Sequence, residues 1–190
     1  NLQKKHFLYL LIFILLTIIF VSQKYHEDFG YYHLPYIISL FENKIIFGLA
    51  NANSVYSYNS IWLNTMSLFY LPNNNYNFIT FPSFIIYSVF IIFFFKKIVE
   101  HKEKKLSYHF LILSLFYLII KFTRLSEFGT DIPSILFSIL SIFYFLSFLE
   151  TNETNKKKYY FFCNFSFGIF AILIKLSCIP VILLTLYLFF

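Results

Sequence analysis

Ile132-Pro133-Ser134-Ile135-Leu136-Phe137-Ser138-Ile139-Leu140-Ser141-Ile142-Phe143-Tyr144-Phe145-Leu146-Ser147-Phe148-Leu149 runs for 18 residues without an acid or a base. A stretch of that length and composition reads as a helix that crosses a bilayer, whose hydrocarbon core takes about 20 apolar residues. Pro133 falls in the first turn, where its missing N–H costs little. Apolar runs recur at 7–21, 79–95, 106–120, 159–174 and 179–190.

Working outward from these runs, the composition fits them. Hydrophobic residues make up 59% of the chain and charged residues 13%, against roughly 25% charged in soluble domains. The expected fold is all-α, a polytopic helical membrane protein. The chain begins without a Met and ends inside an apolar run. It is therefore expected to be the N-terminal part of a single transmembrane domain. The net charge of +6 sits in short loops between the runs, which argues against nucleic acid as a partner. Cys163 and Cys178 have no metal-ligand spacing.

The segment 22–78 is long, aromatic and only moderately apolar. Pro35 to Phe41 predicts a short amphipathic helix. Ser60 to Leu71 is apolar for only about twelve residues, short of the roughly 17 that a span needs. Basic residues orient the chain, because lysine and arginine favour cytoplasmic loops. With the N-terminus cytoplasmic and 22–78 kept as one external loop, ten basic residues lie inside and five outside. The expected location is a bacterial inner membrane, with several passes and a large first external loop holding juxtamembrane helices.

This topology gathers Glu27, Asp28, His33, Asn51, Asn59, Arg124, Glu127, Asp131 and Lys175 at the outer face. The five complete runs contain no Asp, Glu, Lys or Arg in their interiors. Ion-coupled transport relies on such groups at mid-membrane, so surface chemistry is favoured over conduction. Asp28 precedes Tyr31 and Tyr32 at a spacing that puts carboxylate and rings along one helix face. A carboxylate there suits a general base acting on an acceptor hydroxyl; equally, Asp28 suits an N-cap. Asp131 before Ile132-Pro133 is an N-cap candidate, or a second acid facing Asp28, alone or with a divalent metal. Lys121, Arg124 and Lys175 are phosphate-holding candidates or snorkelling anchors. Trp62 and the tyrosines suit an interfacial belt. His33 suits either a substrate hydrogen bond or simple solvation.

A span, an acid just outside it, a long external loop and further spans together resemble the GT-C fold of integral-membrane glycosyltransferases. The protein mannosyltransferase and aminoarabinose transferase groups are members. The closer resemblance is to a little-characterised bacterial polytopic family. It is carried in order by Asp28 with Tyr32-His33-Leu34-Pro35, Gly48-Leu49-Ala50-Asn51, Asn59-Ser60-Ile61-Trp62, Asp131-Ile132-Pro133 and Lys175-Leu176-Ser177. The GT-C pattern often shows Asp-Glu or Asp-x-Asp, where this chain has Glu27-Asp28. The resemblance implies a membrane glycosyltransferase, with a polyprenyl-phosphate-linked sugar as donor and a periplasmic-side glycan or lipid as acceptor. Asp28 would be the base. Glu27, Tyr32, His33, Asn51, Asn59, Arg124, Asp131 and Lys175 would bind substrate, with Lys175 or Arg124 on the donor phosphate. No cofactor is implied, and membrane lipids are the other expected partners. The alternative class is a glycolipid transporter or flippase, or a membrane scaffold.

Overall fold

A computed structural model describes residues 2–21, 28–43, 47–52, 54–57, 60–71, 76–100, 105–121 and 129–188. Its regular structure is all helical, with no strand among the described residues. In chain order the α-helices are α1 (Leu2–Val21), α2 (Leu34–Glu42), α3 (Leu49–Ala52), α4 (Ile61–Ser67), α5 (Phe81–Glu100), α6 (Leu106–Ile120), α7 (Asp131–Glu150), α8 (Thr154–Ile174) and α9 (Pro180–Tyr187). Phe29–His33 is a π-helical turn, and short 3₁₀ turns stand at Ser54–Ser57, Tyr76–Thr80 and Leu176–Cys178.

Two helices, Phe78–Glu100 and Asp131–Glu150, are long and apolar enough to cross a membrane. Twenty residues rise about 30 Å, the thickness of the hydrocarbon core. Shorter apolar helices cover Phe7–Ile18, Leu106–Ile120 and Leu176–Tyr187.

The chain divides into two compact units: Asn1–Ser88 with Thr123–Thr130, and Val89–Phe122 with Asp131–Phe190. In the first, α2 packs against α4. The amphipathic reading of Pro35–Phe41 corresponds to α2, which buries Tyr36 and Ile37 and exposes Phe41 and Glu42. Tyr36 stacks on Tyr56 at 5.5 Å, and burial pushes its phenol above the ordinary value. Ser60 starts α4 by accepting the Trp62 backbone N–H at 3.2 Å. With seven residues, α4 rises only about 10 Å, too little to span.

In the second unit α7 and α8 run antiparallel around a short connection, Thr151–Glu153. Their closest approach is polar. The Asn164 amide donates to the Ser141 carbonyl and hydroxyl, each at 2.9 Å, and the Ser141 hydroxyl donates to the Asn164 carbonyl at 2.9 Å. Thr185 of α9 donates to Asn164 Oδ1 at 2.6 Å. All three side chains are buried. Gly168, one turn along α8, makes room: a Cβ there would stand 3.3 Å from Ser141 Oγ.

Candidate functional site

In the first unit the acid and its aromatic neighbours occupy one unusual turn. Asp28 is helical, with φ −58° and ψ −24°, and its side chain makes no cap hydrogen bond. The N-cap reading of Asp28 is therefore corrected: the chain is already helical there, so the carboxylate is not turned back onto the helix N–H groups. From Phe29 to His33 the backbone is π-helical, and the Leu34 N–H donates to the Phe29 carbonyl. Hydrogen bonding over five residues widens the turn, and such turns occur mostly as single insertions, frequently at functional sites.

His33 ends this turn. It is buried, with its ring centroid 4.2 Å from that of Tyr32. The expectation of a solvated histidine is corrected, because packing encloses the ring. Part of that enclosure is Gly129, where a Cβ would stand 3.8 Å from His33 Nε2. Trp62 is also buried rather than in an exposed belt, and its indole N–H has no hydrogen-bond partner among the described residues. Such a group costs about 1–3 kcal/mol when left unmet. Asn51 is exposed on α3, and its backbone N–H donates to the Gly48 carbonyl at 2.9 Å. Gly48 has φ +78°, which explains a glycine at the head of that motif.

The second unit holds two more of the expected site residues. Asp131 lies in the first turn of α7, where a carboxylate suits the helix dipole. Its carboxylate is ion-paired with Lys175. The Lys175 backbone is extended, φ −149° and ψ 118°, and separates α8 from the turn leading to α9. Both side chains remain well exposed. Asp131 thus stands as the first residue of α7 and the partner of Lys175. Glu27, Asn59 and Arg124 lie outside the described residues. Among the described residues no three His, Cys, Asp or Glu side chains gather as a metal site.

The motifs from Asp28 to Lys175 span most of the chain, and one family model covers them all: it matches residues 1–190 and is described as Domain of unknown function (DUF8201). The chain belongs to the DUF8201 family. No curated protein and no solved structure matches it. In this DUF8201 chain sequence reasoning missed Asn164 and Thr185. Their signal was a polar side chain set among apolar ones, visible once uncharged residues are weighed with charged ones.

Proposed function

We propose that this chain belongs to a multi-pass membrane glycosyltransferase of GT-C type in a bacterial inner membrane. The donor is a polyprenyl-phosphate-linked sugar and the acceptor a glycan or lipid on the periplasmic side. The observation that carries this reading is the π turn between Asp28 and His33. Asp28, whose side chain makes no cap hydrogen bond, opens a π-helical turn that ends on a buried histidine. In the proposed step the acceptor hydroxyl gives its proton to Asp28 as its oxygen bonds the anomeric carbon. The bond from that carbon to the phosphate oxygen breaks, and polyprenyl phosphate leaves with the electron pair.

The test uses membranes carrying the full chain and a radiolabelled polyprenyl-phosphate sugar. Asp28→Asn is nearly isosteric and should lower transfer about 10²–10⁴-fold with insertion unchanged. Asp131→Asn removes only an exposed ion pair, worth up to about 1 kcal/mol, and should keep transfer. Full transfer by Asp28→Asn sinks the proposal.

A further inference from the structure

The second unit concentrates charge at one end. Phe90 meets Phe137 and Phe93 meets Phe143, so α5 runs parallel to α7. Glu150 at the end of α7 accepts the Ser107 backbone N–H at 2.8 Å, which brings in the start of α6. The start of α8 follows after Thr151–Glu153. Lys96, Lys97, Lys105, Lys156, Lys157 and Lys158 therefore share one end. Three described acids stand there, and each is engaged. Glu100 lies 3.9 Å from Lys96, Glu153 lies 2.7 Å from Lys156, and Glu150 holds Ser107. The Glu153 carboxylate also holds the Lys156 ammonium above its ordinary value.

No described ion pair reaches Lys97, Lys157 or Lys158. Instead the Lys97 ammonium lies 5.8 Å from the Phe93 ring centroid and that of Lys157 5.5 Å from Phe148. Large apolar side chains border them in the open: Val99, Leu149, Tyr159 and Phe162 are 52–66% exposed. Surplus positive charge set on exposed aromatic and aliphatic surface fits one partner class. We propose that this end binds the head groups of anionic phospholipids, with Lys97, Lys157 and Lys158 meeting the phosphates and the bordering side chains meeting the acyl chains. An acidic soluble protein would satisfy the lysines and leave the apolar border uncovered.

The inference rests on the multi-pass reading above, which is checked first by resistance of the full chain to alkaline carbonate extraction. Release by carbonate defeats that reading and this inference together. Retention followed by a failed lipid test defeats the inference alone. In the lipid test, the full chain in neutral detergent is titrated with phosphatidylglycerol or phosphatidylcholine and followed by native mass spectrometry. Wild type should prefer phosphatidylglycerol. Each lysine contributes about fivefold, so Lys158→Gln should lose about fivefold and the triple K97Q/K157Q/K158Q roughly a hundredfold. Equal retention of both lipids, or an unchanged Lys158→Gln, overturns the proposal. Displacement by inorganic phosphate at equal concentration assigns the site to free phosphate and overturns it also. Displacement by polyglutamate without lipid preference assigns it to an acidic protein, with the same result.

Discussion

Glu150, the last residue of α7, holds Ser107 in the first turn of α6 through both the backbone N–H and the hydroxyl. A carboxylate at a helix C-terminus opposes the dipole of its own helix. Here it serves the next helix, whose N-cap position is Lys105, with no side-chain cap of its own. Glu150→Ala should lower stability in micelles by about 0.5–2 kcal/mol, the range for a lost cap. Ser107→Ala should cost less, since the backbone N–H keeps its acceptor. Thermal unfolding followed by helical signal checks both.

Asn164 joins three helices, so its loss should be felt across them. Asn164→Leu leaves the Thr185 hydroxyl without its acceptor and removes the amide that donates to Ser141, while the Ser141 hydroxyl keeps the backbone carbonyl of residue 164; it should destabilise by about 1–3 kcal/mol. Thr185→Val removes one bond, worth about 0.6 and at most about 1.7 kcal/mol in a membrane protein. The double variant should cost less than the sum of the singles. Strict additivity would show that the bond contributes nothing.

Two glycines predict opposite outcomes. Gly48 is left-handed, and a Cβ there would stand 3.4 Å from Asn51 Nδ2. Gly48→Ala should cost about 1–2 kcal/mol, and Gly48→Asn should cost less, because asparagine visits that conformation. Gly30 has no positive φ, and beyond its chain neighbours and its own helix backbone a Cβ there would meet no described atom within 4 Å. Gly30→Ala should be neutral or stabilising by up to about 1 kcal/mol. Denaturant midpoints compared at constant slope decide between these.

The Trp62 indole N–H, in the core of the first unit, meets no acceptor among the described residues. Trp62→Phe keeps a ring and removes that cost, so stability should stay within about 1 kcal/mol of wild type. Trp62→Ala should lose about 3–5 kcal/mol. A Trp62→Phe variant as damaged as Trp62→Ala would mean that the N–H is satisfied in the folded protein.

How far the sequence could be read differs from residue to residue. The run 106–120 coincides with α6 because apolarity and helicity stop together at Lys105 and Lys121. The run at 159 begins five residues after α8 does. Thr154–Lys158 is polar, yet nothing in it breaks a helix, so an apolar window cannot see the true start. The burial of His33 was hidden because Gly129, part of what encloses it, is distant in the chain. The π turn left no sign either, since Phe-Gly-Tyr-Tyr-His is equally compatible with an ordinary helix. The Asp131–Lys175 pair was visible only as two separate motifs. Spacing along a chain does not say which ends of two helices meet.

The clamp at Asn164 also governs motion. A shift of α8 by one residue past α7 would set Phe165 against Ser141 and break the three hydrogen bonds between Asn164 and Ser141. Sliding of α8 past α7 is therefore penalised at the first step, and Thr185, beyond the extended backbone at Lys175, is pinned to the same amide.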